Sequence, residues 1–149
     1  MKKLSALSKH LEALPGIGRD QMEAFVDLGK LHPTGTDLGH GIEVGRFRYD
    51  AVISIERCPA TLAEMLLSVL LIWLGDNDPN RDHIGLNAPD VDVSLEDEQT
   101  VSVQITVDFD EGLTIVPDPK GPIFYEDKQW RIDDVPIDVA EELQRMENR

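Results

Sequence analysis

The chain has 149 residues, a formal net charge of -15 and one cysteine. That length suits one domain able to bury a core without disulfides or metal, and the lone Cys58 excludes any intramolecular disulfide. The charge opposes binding to phosphate backbones or anionic membranes, and aromatic content of 5% is thin for a platform that stacks single-stranded nucleic acid.

The acid excess is uneven. Residues 1–50 carry seven basic and seven acidic side chains, whereas residues 51–149 carry seven and twenty-two. Such a surface keeps a chain soluble and steers in a partner with a basic rim. The first residues start like a secretory signal, but Ser5, Ser8, Lys9, His10 and Glu12 interrupt the apolar run such a signal needs. The longest apolar stretch, residues 62–74, is about 20 Å long as a helix, short of a bilayer core. The expectation is a cytoplasmic chain with no membrane and no nucleic-acid partner.

Leu4, Leu7, Leu11 and Leu14 lie three and four residues apart and predict a short helix with one apolar stripe, stopped by Pro15-Gly16. Met22, Ala24, Val26 and Leu28 alternate with Glu23, Phe25, Asp27 and Gly29, which predicts a strand. Residues 33–41 hold Pro33, Gly35, Gly39 and Gly41 and predict a mobile or sharply turned loop. Phe47, Tyr49, Ala51, Ile53 and Ile55 alternate with more polar residues in a long half-buried strand.

After Cys58-Pro59, Thr61 and Glu64 have capping-box spacing for a helix over about residues 60–74. That helix is apolar almost all round, with Glu64 and Ser68 forming a narrow polar strip. A surface helix needs only one apolar stripe. Leu62, Leu66, Leu70 and Trp73 therefore form a candidate self-assembly face, although a central helix covered on both sides within the fold has the same pattern. Residues 75–82 read as a loop. Val91, Val93 and Leu95 and then Val101, Val103, Ile105, Val107 and Phe109 alternate with polar residues on either side of a polar turn, predicting an antiparallel hairpin. Leu113, Ile115 and Val116 extend or restart its second strand.

Beyond Val116 prolines and glycines break regular structure. Residues 123–125 and 130–132 read as short apolar anchors in edge strands, and Asp138 with Glu141 is placed to cap a last short helix carrying Val139, Leu143 and Met146. The expected fold is α+β: a single mainly antiparallel sheet with helices packed on a face, in the order α-β-β-α-β-β, followed by an irregular tail. Residues 1–117 form the expected globular domain and residues 118–149 an irregular acidic extension.

Chemistry-bearing patterns are sparse. Asp76, Asp78, Asn80 and Asp82 have the rhythm of an EF-hand loop, but Arg81 stands where glycine belongs and Asn87 where the bidentate glutamate belongs. His10, His32, His40 and His83 lack paired metal spacing, and no second cysteine assists. Cys58 with His83 has no local support as a nucleophile and base. Asp133-Asp134 reads as solvated surface. Neither Gly16-Ile17-Gly18 nor Gly39-His40-Gly41 has phosphate-loop spacing. No catalytic residue, metal site or cofactor is expected.

The chain resembles the R-type tail-completion family of contractile-tailed phages. The resemblance rests on the leucine-rich N-terminal helix, the strand of residues 24–31 with the glycine-rich loop behind it, and residues 47–55. It continues through residues 70–74 and 77–85 to the hairpin ending at 107–112, and so covers roughly residues 1–117. It implies a structural protein of late tail assembly that finishes the tail tube and readies it for the head. By analogy with tail terminators of other phages it implies a homo-oligomeric ring, a hexamer on that analogy, whose partners are the tube protein and a neck or head-completion protein. The loop residues Thr34, Asp37, Leu38 and His40 are then candidates for tube or neck contact. Such a chain assembles in the host cytoplasm and ends in the virion tail. The rival reading is an acidic adaptor or inhibitor that binds a basic partner, distinguished by one-to-one stoichiometry. A small enzyme with a dispersed site is the third.

Overall fold

A computed structural model describes residues 1–134. The elements in chain order are helix α1 (Lys2–Glu12), strands β1 (Met22–Asp37) and β2 (Ile42–Pro59), helix α2 (Ala63–Asn77), and strands β3 (Asp90–Leu95), β4 (Thr100–Pro117), β5 (Ile123–Tyr125) and β6 (Lys128–Ile132). Single 3-10 turns precede β1, at Arg19–Gln21, and α2, at Ala60–Leu62. The six strands form one antiparallel sheet in the order β1-β2-β4-β6-β5, with β3 also paired to β4. This is the expected α+β class, with two more strands in the sheet than the expected order contained. Of the two segments expected as edge strands, residues 123–125 form the edge strand β5, whereas residues 130–132 lie in β6, which is bonded to β4 on one side and to β5 on the other. The helix expected from Asp138 to Met146 lies outside the described residues.

Contacts divide the chain into two units. Among the described residues the first comprises 1, 3–29 and 49–109, and the second comprises 2, 30–48 and 110–134.

The core of the first unit follows from periodicity. Val101, Val103, Ile105, Val107 and Phe109 of β4 are buried, as are Tyr49, Ala51, Ile53 and Ile55 of β2. Alternation at a period of two sends each set to one face. Helix α2 supplies Leu66, Leu70, Trp73 and Leu74. The ring of Trp73 meets Phe109 edge-on at 6.3 Å, and Tyr49 meets the same ring at 5.8 Å. Leu4, Leu7 and Leu11 on one face of α1 are also buried, which gives this marginal 11-residue helix the docking it needs. The chain leaves α1 through Gly16, whose φ of +88° is left-handed and where a Cβ would strike Leu62.

The helical run Ala60–Asn77 extends three residues past the expected end. By length and composition it is long and apolar enough to cross a membrane, with a mean hydropathy of 1.3. In this fold four of its side chains are core residues of the first unit. The expected capping box is absent. Helix α2 follows a 3-10 turn, Leu62 stands at its N-cap position, and no side chain caps the first N–H groups.

The segment behind α2 departs furthest from expectation. It reads in sequence as a solvated loop, yet Asp78 and Arg81 are 4% and 8% exposed. The Arg81 guanidinium donates to Asp78 at 2.8 Å, to Asp108 at 3.1 Å, and to the carbonyls of Asn87 at 2.8 Å and Asp108 at 3.0 Å. Lys3 of α1 also binds Asp78, at 2.7 Å. Arg81 further lies over the Phe109 ring, 5.9 Å from its centre. The EF-hand rhythm thus marks an ion-paired staple, and the arginine in the glycine position is its centre.

The hairpin of β3 and β4 runs in the register Val91↔Ile105, Val93↔Val103 and Leu95↔Val101. Its turn is closed by Asp97, whose carboxylate accepts N–H groups of Gln99 at 2.7 Å and Thr100 at 2.8 Å. These bonds hold its pKa below the ordinary 3.8.

Two measurements check this account. Arg81→Met removes the buried guanidinium shared by Asp78 and the half-buried Asp108, leaving Asp108 without its cation, and should destabilise the fold by about 3 kcal/mol in a denaturant titration; a loss under about 1 kcal/mol would mean the staple is idle. In a carboxyl NMR titration Asp97 should show a midpoint below 3.8. A depressed folded pKa means that its contribution is complete above the ordinary value and fades as the pH falls through the lower midpoint. A midpoint at or above 3.8 would contradict the turn.

Candidate functional site

The expected loop 33–41 is mostly strand. Strand β1 continues through Pro33 and Gly35 to Asp37, and the turn is confined to the tip, where the Leu38 N–H donates to the Gly41 carbonyl at 2.8 Å. Proline and glycine are tolerated because β1 is an edge strand, bonded to β2 alone. Gly35, at φ +68°, and Gly39, at φ +89°, supply left-handed backbone. The Asp37 carboxylate accepts the Gly39 N–H at 2.8 Å, which orders the tip. At Gly41 a Cβ would collide with the Ile115 carbonyl.

The four expected contact residues all lie in this hairpin, in the second unit, and all are exposed. Thr34 is turned inward along the hairpin, its hydroxyl 3.0 Å from the Glu43 carbonyl and 2.9 Å from the Glu43 carboxylate. Asp37 closes the turn, Leu38 is 42% exposed, and His40 faces Asp133 at 3.7 Å. Beside the tip is an open cleft lined by His40, Ile42, Pro117, Glu126, Lys128 and Trp130. Below it Arg46 binds Asp110 at 2.7 Å and Glu43 at 3.1 Å, and Arg48 lies 3.6 Å from Asp110. This pairing fixes the base of the hairpin.

The expected self-assembly face is placed differently. Leu66, Leu70 and Trp73 are 0%, 1% and 5% exposed, and Leu62 is half-buried. They face the core of their own unit, so that face is not available to a second copy. The apolar residues that α2 does present are Leu71 and Ile72, each more than 60% exposed. Helix α2 is apolar all round because one side packs on the sheet and another stays uncovered.

Two further surfaces have no equivalent in the sequence reading. Strand β3 is exposed along its whole length. Its apolar row of Val91, Val93 and Leu95 shares a face with the buried Val101, Val103 and Ile105 of β4 but is itself uncovered, Leu95 at 84%. Strand β1 likewise exposes Leu28 and Leu31 at 66% and 69%. Strict alternation shows which side chains share a face and is silent on whether another layer reaches that face.

For chemistry the structure offers little. Among the described residues no three His, Cys, Asp or Glu side chains are grouped to hold a metal ion. Cys58 is fully buried, and desolvation raises its pKa above the ordinary thiol value of 9.0. A buried thiol held in its protonated form is a poor nucleophile.

Comparison with known proteins assigns the chain. A family model described as P2 phage tail completion protein R (GpR) matches residues 1–134. A relative from Haemophilus phage HP1, described as an uncharacterized 19.2 kDa protein in the rep-hol intergenic region, is 27% identical over 136 residues, covering 89% of this chain and 82% of the relative. No solved structure matches. An α+β chain with exposed sheet edges and this match is a phage tail-assembly protein. It belongs to the P2 phage tail completion protein R (GpR) family.

Cys58 gives a direct check on the packing of β2. A thiol reagent at neutral pH should leave the native protein unmodified and label it stoichiometrically once unfolded. Fast labelling of the folded chain would contradict the burial.

Proposed function

We propose that this chain ends the tail tube and prepares it to join the head, acting as a homo-oligomeric ring seated on the last tube layer. The family match over residues 1–134 carries the reading. The uncovered apolar rows of β3 and α2 and the free edge of β1 support it, since a subunit that works alone has no need of several such surfaces. The hairpin tip at Asp37, Leu38 and His40, with Thr34 behind it, is the contact with tube or neck. Self-association runs through the exposed strands and the Leu71–Ile72 side of α2. Residues 1–117 form most of the assembling body, and β5 and β6 complete its sheet. The protein works without cofactor or catalysis, binds neither nucleic acid nor membrane, assembles in the host cytoplasm and stays in the virion tail.

A specific observation favours the adaptor reading as runner-up. From Ile84 to Pro119 the chain has no lysine, arginine or histidine, but it has nine acids. Five of them, Asp90, Asp92, Glu96, Asp97 and Glu98, are exposed and would meet a basic partner, whereas Asp108 and Asp110 are paired with arginines of the chain itself. Stoichiometry separates the two readings: a cap is several copies on one tube end, whereas an adaptor forms a one-to-one complex.

Tails made by a phage lacking the chain, incubated with the purified protein, provide the test. The protein should appear by electron microscopy at one end of each tube, in a fixed number of copies, and restore joining to heads. Protein that ignores tube ends would overturn the reading. The double variant Leu38→Glu with His40→Gln, which sets no carboxylate against Asp133, should keep the wild-type melting temperature, because both side chains are exposed, and lower the yield of infectious particles by about tenfold or more. A normal yield would remove the hairpin tip from the contact.

A further inference from the structure

Two of the exposed strand edges are chemically matched to each other. Strand β1 bonds only β2, and β3 bonds only β4, so each leaves one row of backbone N–H and C=O groups unpaired. On β1, Lys30 and His32 lie on one face and Leu31, 69% exposed, on the other. On β3, Asp90 and Asp92 lie on one face and Val91, Val93 and Leu95 on the other. No ion pair or side-chain hydrogen bond engages Lys30, His32, Asp90 or Asp92 among the described residues.

We infer that the β1 edge of one copy of this chain pairs with the β3 edge of the next, so that each subunit extends its neighbour's sheet. This rests on the assembly reading above. When two strands add edge to edge, side chains on the same face meet across the new ladder. Lys30 and His32 then face Asp90 and Asp92, while Leu31 lies opposite Val91 and diagonal to Val93 on the reverse face. A slip of one residue sets Lys30 against the valines and Leu31 against the aspartates, so both faces select the same register. Surrounding charge agrees. The β3 hairpin carries Glu96, Asp97 and Glu98 at its turn and no base, whereas Lys30 and His32 make this part of β1 the more basic edge. Two β3 edges would repel each other, and β1 meeting β1 would bring two lysines together. The contact is therefore heterologous, using two different patches of each subunit, the type that builds rings. The new ladder also covers part of the apolar row of β3, at Val91 and Val93.

A charge swap tests it with the full-length chain. Variant one is Lys30→Glu with His32→Glu; variant two is Asp90→Lys with Asp92→Lys. All four side chains are exposed, so circular dichroism and melting should be unchanged. Light scattering over a concentration series should show the wild-type chain associating. Each variant alone, now meeting like charge, should associate about tenfold more weakly. An equimolar mixture should recover wild-type association with equal amounts of each, because every contact in an alternating assembly is again between opposite charges. A wild-type chain that stays monomeric throughout, variants that associate as wild type, or a mixture no stronger than its parts would each overturn the pairing. Tube capping by the wild-type protein is read separately, so the pairing can fail while the tail-completion role stands.

Discussion

A guanidinium buried behind α2 organises the first unit. Arg81 is held by Asp78, Asp108 and two backbone carbonyls, and it lies over the ring of Phe109. A charge taken so far out of water is tolerable only when its donors are met, and four of its N–H···O bonds are accounted for. The consequence is geometric. The residues after α2 cannot drift, so β3 starts from a defined point and reaches β4 in register. Lys3 draws α1 into the same cluster through Asp78. Helix, turn and strand thereby share one electrostatic anchor, and the aromatic trio of Tyr49, Trp73 and Phe109 packs against it.

That anchor also explains how much was legible in the sequence. Elements whose evidence is local came through: the leucine stripe of α1, the alternation of β2 and β4, the existence of α2 and the β3–β4 hairpin. Features set by distant partners did not. The acid rhythm around Asp78 and Asp82 resembled a calcium loop with a wrong residue at position six, and only the approach of Asp108 shows why arginine stands there. Proline and glycine at positions 33 and 35 predicted a loop, because the rule that breaks strands is relaxed on an edge and edge status is a property of the whole sheet.

The candidate contact residues divide in the same way. Thr34, Asp37, Leu38 and His40 were expected together in a loop between strands; the hairpin keeps them together, but Thr34 and Asp37 belong to β1 and only Leu38 and His40 to the turn. The face at Leu66, Leu70 and Trp73 was not separable from the opposite side of α2, since both sides are equally apolar and only packing distinguishes the half that meets the sheet. The uncovered rows on β1 and β3 were written as ordinary amphipathic strands. Their exposure means that no other element covers these rows among the described residues, which no single-strand pattern encodes.

The net charge has a kinetic consequence. Copies of a chain with fifteen surplus negative charges repel one another as they approach, whereas ladder bonds and apolar contact act only on touching. At physiological salt the screening length is about 8 Å, so the barrier lies in the last nanometre of an encounter and falls as salt rises. Association of free subunits is thereby slowed at low salt and low concentration, without being abolished. Where a cationic surface neutralises the first arrivals, the barrier disappears locally, and growth is fastest at the template rather than in solution.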